Sequence, residues 1–261
     1  MRYHTIIVSF FILITQALSG QNQAFSSGKF YVGVMAGANA TAIVFQNNYG
    51  QTEMDYVVPV GFAAGVTMHY RITPKSHLVV DVIYQQMGQK HDDHFKKMDF
   101  YKDINLSYLS IPIMYKLVLN KNTVGYQAGA NYSKPKWYLL GGIQPSFLLS
   151  ANIRYEVDGD QTDFISFITE GGNQNLEQIL INGQPEDDKE LYKEIDIAFI
   201  GAAGFHVNIQ PTIIGFFEFR GGIGLLDINA EEWQLPGPNG TYNWSRNFFL
   251  GFNVGIIFKI F

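Results

Sequence analysis

The chain has 261 residues, a formal net charge of −5, and 16% charged against 15% aromatic residues, with 26 glycines and no cysteine. That excludes disulfides, thiolate metal sites and a lipidated N-terminal cysteine, and the acidic balance without a basic stripe speaks against nucleic-acid binding. Mean hydropathy close to zero fits neither a disordered chain nor a bundle of membrane helices.

Residues 1–20 read as a secretory signal peptide. Arg2 and His4 open it, Ile6 to Ile14 is a compact apolar run, and Ala17-Leu18-Ser19 sets small residues before a cut after Ser19 or after Gly20. The run is too short to span a bilayer. Residues 21–261 then form one domain.

That domain alternates between apolar and polar residues, the period of a strand. Eight segments stand out: Phe30 to Ala40, Val57 to Arg71, His77 to Gly88, Leu106 to Leu119, Trp137 to Tyr155, Ile195 to Ile209, Thr212 to Asp227 and Arg246 to Phe261. The charges fall on one parity only. Val60, Phe62, Val66 and Met68 oppose Thr67, His69 and Arg71. Leu78, Val80, Val82 and Tyr84 oppose Asp81 and Gln85. Leu109, Ile111, Ile113 and Tyr115 oppose Ser110 and Lys116. Phe217, Phe219 and Ile223 oppose Glu218 and Arg220, and Phe248 to Ile260 oppose Asn253 and Lys259. A lipid-facing surface needs this segregation, because a charge at the bilayer midplane costs roughly 2–4 kcal/mol. The expected fold is all-β: an eight-stranded antiparallel transmembrane β-barrel with short periplasmic turns and long extracellular loops. Its lumen is expected to be narrow, packed and polar.

The connections alternate in length. Polar loops are expected near 41–56, 89–105, 156–194 and 228–245, and short turns at Ile72 to Ser76 and Asn208 to Thr212. Residues 120–135 break the alternation, being long where a turn is due. Trp137, Tyr138, Tyr70, Tyr84, Tyr155, Trp233, Tyr242 and Trp244 fall near strand ends, as aromatic girdles at the membrane interfaces do.

Four stretches stand together in order: Gly33-Val34-Met35-Ala36-Gly37-Ala38-Asn39, Asp81 with Tyr84 and Gly88, Tyr108-Leu109-Ser110-Ile111-Pro112-Ile113-Met114-Tyr115-Lys116, and Glu218-Phe219-Arg220 through Ile228. On these the chain resembles the PorT-like outer-membrane β-barrel family of Bacteroidetes. It implies an outer-membrane location and allows a role near the type IX secretion machinery. Family members often carry an acidic residue where Ser110 stands, which leaves Lys116 a different partner. The terminal Phe261 resembles the signal read by the barrel-assembly machinery during biogenesis. It shares the parity of Lys259, however, and Phe258 lies on the apolar face.

The chemistry-bearing residues are few. Asp81, Lys116, Glu218 and Arg220 point into the expected lumen, joined there by His69, Arg71, Gln144, Asp196 and His206. Buried charges there must pair, and an eight-stranded barrel is usually filled by its own side chains. His91-Asp92-Asp93-His94 is the only metal-like grouping, on an expected loop without a preformed site. Ser107, Ser110 or Ser245 with His91, His94 or His69 would be the pairs available to a lipid-modifying enzyme, but no motif selects among them. No catalytic, cofactor or metal residue is assigned. The function expected is that of a non-enzymatic scaffold or interaction protein, with a lipid-modifying enzyme or a narrow porin-like channel as alternatives. Its expected partners are outer-membrane lipids, the assembly machinery, and a secretion-system or other envelope protein bound by the long outer loops.

Overall fold

The computed structural model describes residues 29–44, 56–95, 98–119, 135–158, 188–231, 234 and 241–260. The leader Met1 to Gly20, the segment 120–134 and Phe261 lie outside the described residues. The strands are β1 (Phe30–Val44), β2 (Tyr56–Val57), β3 (Val60–Arg71), β4 (Ser76–Phe95), β5 (Met98–Ser110), β6 (Ile113–Val118), β7 (Lys136–Asp158), β8 (Ile195–Gln210), β9 (Ile213–Gly224) and β10 (Arg246–Lys259).

Every pairing is antiparallel, and the sheet closes on itself. Around the ring run β1, β3, β4, then β5 with β6, then β7, β8, β9 and β10, which pairs back onto β1 from Tyr31↔Lys259 to Val44↔Arg246. These are the eight expected staves, two of them interrupted by proline. Pro59 separates β2 from β3, and Pro112 separates β5 from β6. A proline cannot donate to a ladder, but its carbonyl still accepts. Thr41 donates its backbone N–H to Pro59 at 3.1 Å, and Asp81 donates to Pro112 at 3.0 Å. The wall stays continuous across both breaks.

Parity along each strand divides the residues into two populations. Val34, Val60, Phe62, Leu78, Ile113, Leu139, Phe199, Phe219, Phe252 and Phe258 point outward and are exposed. Asp81, Lys116, Gln144, Glu218 and Arg220 point inward and are buried. On β10 the outward apolar row runs from Phe248 to Phe258. At the usual rise and tilt that covers roughly 26 Å along the barrel axis. An exterior this apolar over that height belongs in hydrocarbon.

The short connections lie together at one end. Pro211 and Thr212 join β8 to β9. Ile72 to Lys75 join β3 to β4, held by the Thr73 hydroxyl, which accepts the N–H groups of Lys75 (3.2 Å) and Ser76 (3.1 Å). The first and last described residues sit at this end, where Ile260 donates to the Phe30 carbonyl at 2.9 Å. This is the periplasmic end by the habit of bacterial barrels.

The other end departs from expectation. The expected loop 89–105 is instead a hairpin: β4 continues to Phe95, and β5 begins at Met98, paired from Phe95↔Met98 downwards. β4 has 20 residues and β7 has 23, about twice what a tilted crossing needs. Above Tyr84, Leu109 and Leu149 the pattern inverts. Gln86, Lys90, Asp103, Asn105, Asn152 and Arg154 now face out, while Met87, Ile104, Leu106, Ala151 and Ile153 face in and are buried. A strand standing in water must put its apolar side inward, so the sign of the alternation flips where the bilayer ends. The bulge opposite Ser107/Tyr108 on β7 resets the parity at that level. The extracellular part of the lumen is therefore built on an apolar core, which also takes in Ile43, Tyr192, Ile228 and Phe249, with Gln89, His91 and Lys102 buried on the same inward parity.

Candidate functional site: the lumen and its extracellular extension

At mid-lumen the ring brings four charges to one level. Glu218 and Arg220 lie two residues apart on β9, so both point inward. Asp81 reaches them from β4 across the lumen, and Lys116 from β6. Arg220 donates Nη2 to Asp81 Oδ2 at 2.9 Å and Nε to Glu218 Oε1 at 2.6 Å. Arg220, Asp81 and Glu218 are each no more than 4% exposed. The pairing is charge-assisted, forked and dry, the strong form of such contacts.

Lys116 takes a partner of another kind. Its ammonium stands 3.6 Å from the centre of the Tyr138 ring, a cation–π contact strengthened by desolvation. The Tyr138 hydroxyl donates to Glu218 Oε2 at 3.2 Å, so the ring joins Lys116 to the Arg220 network. Tyr138 therefore does not belong to the aromatic girdle. Its parity, shared with Gln144 rather than with Trp137, points it into the lumen, where it is 1% exposed. Trp137, Tyr70 and Trp244 are exposed, as girdle residues should be. Tyr84 is outward and half-buried, bonded to the Ser107 hydroxyl at 2.9 Å. Trp233 and the Tyr155 side chain lie outside the described residues.

Above the charges sits a neutral layer. Gln144 donates to Gln85 at 3.2 Å and to the hydroxyls of Ser110 and Ser146, which bond each other at 2.9 Å. Ser110 thus completes an amide–hydroxyl cluster and is not a partner of Lys116. Higher still, Asn247 bridges the Tyr108 hydroxyl (3.1 Å) and Asp196 (2.9 Å). His69 bonds Thr67 at 2.9 Å. Arg71 and His206 face the periplasmic mouth, below the network and half-buried.

Among the described residues the metal-like and enzyme-like groupings do not assemble. His91 and Asp92 lie on β4, not on a loop, and strand alternation turns His91 inward and Asp92 out. The side chains of Asp93 and His94 lie outside the described residues. Among the described residues, no three His, Asp or Glu side chains converge on one point. Neither nitrogen of His91 has a hydrogen-bond partner among the described residues. Ser107 and Ser110 bond Tyr84 and Ser146, and Ser245 accepts from Asn229 at 3.1 Å.

One site carried no signal at single-sequence level. Asp227, just past β9, accepts from the Tyr242 hydroxyl (2.8 Å), Gln234 (2.8 Å) and the Ser245 backbone N–H (3.0 Å), and Lys193 approaches to 3.8 Å. Burial and the neighbouring Asp227 push the Tyr242 phenol up to about 12. This knot ties the segment after β9 to the start of β10 at the extracellular end. Its members are spread from residue 193 to 245, and only the closed fold brings them together.

The profile of the outer membrane protein beta-barrel domain family matches residues 19–230. Three solved structures are similar. Neisserial surface protein A is 16% identical, over 88% of this chain and 97% of its own, with a TM-score of 0.41. Ail, the attachment invasion locus protein of Yersinia pestis, in complex with the heparin analogue sucrose octasulfate, is 11% identical over 88% and 99%, with a TM-score of 0.38. OprG from Pseudomonas aeruginosa is 11% identical over 88% and 96%, with a TM-score of 0.35. No curated protein sequence matches the chain.

Proposed function

The chain belongs to the outer membrane protein beta-barrel domain family, and from that premise we propose that it is a non-enzymatic scaffold whose extracellular extension binds an envelope or secretion-system protein. The observation that carries the reading is the double closure of the lumen. The Arg220–Asp81–Glu218 network crosses it at membrane depth, and the apolar core around Ile104, Leu106, Ile153 and Phe249 fills it above. A barrel filled in this way has no aqueous path, so its useful surface lies outside. The wall formed by β4, β5 and β7 stands clear of the bilayer and presents a polar outer face. Its apolar face is spent on its own core. Rigid strands position contact residues better than loops do. A place in protein secretion is the finer version of this reading and draws on the PorT-like residues.

The test is site-specific photo-crosslinking in living cells, with the crosslinker at Asp92, Asn152 or Arg154, all exposed on the outer face of the wall. A discrete adduct with one envelope protein is expected from at least one position. A clean monomer from all three would remove the proposal. Deletion of the gene, scored for secreted protein, separates the secretion role from scaffolding elsewhere.

A further inference from the structure

The outward face of β1 is lower than the staves on either side of it. Asn39, Thr41 and Ile43 are buried and point inward, so alternation sets Ala36, Ala38, Ala40 and Ala42 on the lipid side. Across the ladder to β10, Ala38, Ala40 and Ala42 face Phe252, Leu250 and Phe248. Across the ladder to β3, Ala38 and Ala40 face Phe62 and Val60. These larger side chains are all exposed. A floor of methyl groups between two raised walls makes an apolar groove. From Ala36 to Ala42 it runs roughly 20 Å along the strand. At the usual tilt that is about 15 Å of depth, one leaflet of the hydrocarbon core.

A cation stands at the extracellular end of this groove. Ser245 and Asn247 are buried, so Trp244 and Arg246 lie on the outward parity of Phe248. Arg246 is the first outward position above Phe248, and it pairs with Val44, the first above Ala42. Its guanidinium lies over the exposed Trp244 ring, 5.5 Å from the ring centre, a cation–π contact at the level where headgroups begin. The buried Asp227, which accepts from the Ser245 N–H, is engaged by Tyr242 and Gln234 in the knot described above. We propose that the groove binds an anionic lipid of the outer leaflet, with an acyl chain along the alanine floor and the headgroup phosphate at Arg246. The chain gains dispersion contacts from two walls and a floor, more than a convex surface offers. A lipid whose chain reaches Ala36 holds its phosphate at the height of Arg246, and guanidinium–phosphate pairing is charge-assisted. Charge selects the occupant. A second barrel seated here about a two-fold axis would bring Arg246 against Arg246, and a zwitterionic lipid carries a cation of its own to the guanidinium.

The experiment uses the full barrel refolded into phosphatidylcholine vesicles, with folding verified by its heat-dependent gel shift. Trp137→Phe and Trp233→Phe leave Trp244 as the only tryptophan, so quenching by a brominated lipid reports occupancy of the site. Brominated phosphatidylglycerol and brominated phosphatidylcholine are supplied separately at the same minor fraction, and the two are compared within each variant. Phosphatidylglycerol should quench as if enriched about fivefold over its bulk fraction, the value of one cation at a lipid surface. Arg246→Gln should abolish this preference, and so should Ala40→Phe, which fills the groove. Ala203→Phe, outward on β8, should leave it unchanged. Raised salt should reduce it in the parent, a readout that holds where a variant fails to fold. Equal quenching by the two lipids in the parent would overturn the proposal, as would a preference indifferent to salt. So would a preference that survives in folded Arg246→Gln or folded Ala40→Phe, or one that Ala203→Phe removes as well.

Discussion

Removing Arg220 tests the mid-lumen network most directly. Arg220→Ala deletes both forks of its contact, the 2.9 Å bond to Asp81 and the 2.6 Å bond to Glu218. The two carboxylates stay behind, 0% and 3% exposed, with only Lys116 left to offset them. Water cannot reach them from above, where Gln144, Ser110 and Ser146 seal the lumen. Breaking a buried pair by removing one partner costs ~3–5 kcal/mol, a factor of about a hundred to several thousand in the folding equilibrium. Replacing Arg220 together with Asp81 by neutral groups of similar shape should cost far less, because Lys116 and Glu218 then balance and no charge is left uncompensated. The comparison is therefore Arg220→Ala against the double variant Arg220→Met, Asp81→Asn. Both are unfolded by urea in lipid vesicles, followed by tryptophan fluorescence and by the gel shift of the folded barrel. The single variant should unfold at much lower denaturant, and the double variant should recover most of the loss. A single variant within about 1 kcal/mol of the parent would refute the reasoning. A double variant no better than the single would show that volume, not charge, decides the effect.

Two further outcomes probe the outside and the extracellular end. Phe219→Arg places a charge on the outward face at membrane depth and should destabilise the barrel by ~2–4 kcal/mol. Asn152→Arg, outward on β7 but above the belt, should change stability by less than about 0.5 kcal/mol; equal effects in the same unfolding assay would contradict the position of the belt. Asp227→Ala removes the shared acceptor of Tyr242, Gln234 and Ser245. Brief proteolysis of the folded barrel should then cut near residues 228–245 at least several times faster, with the gel shift of the barrel retained.

Much of the barrel is legible in the sequence because a bilayer imposes a one-dimensional rule. Each residue of a crossing strand faces either lipid or lumen, and no charge is tolerated on the lipid side. The opposition of Phe217 and Phe219 to Glu218 and Arg220 fixes the orientation of β9 without knowledge of any neighbour. The same reasoning misses the hairpin beyond Gln86, because there the outer solvent changes from lipid to water and the rule changes sign. Lys90, His91, Asp92 and Asp93 read as loop by composition. Yet Met87, Gln89 and His91 keep the inward parity of Asp81 and Gln85, so the strand continues while its two faces exchange character. Tyr138 is misplaced for a related reason. An aromatic near a strand end suits a girdle, and only its parity with Gln144 turns it inward. Asp227 could not be found by any local signal, since its ligands come from three separate stretches of chain.

The inversion also bears on where function can reside. At membrane depth the inward charges balance as a set, Arg220 and Lys116 against Asp81 and Glu218, with Tyr138 joining Lys116 to Glu218. Above that level the inward apolar side chains close on one another around Ile104, Leu106 and Ile153, with Gln89, His91 and Lys102 also turned inward and buried, so the extracellular wall exposes its polar face.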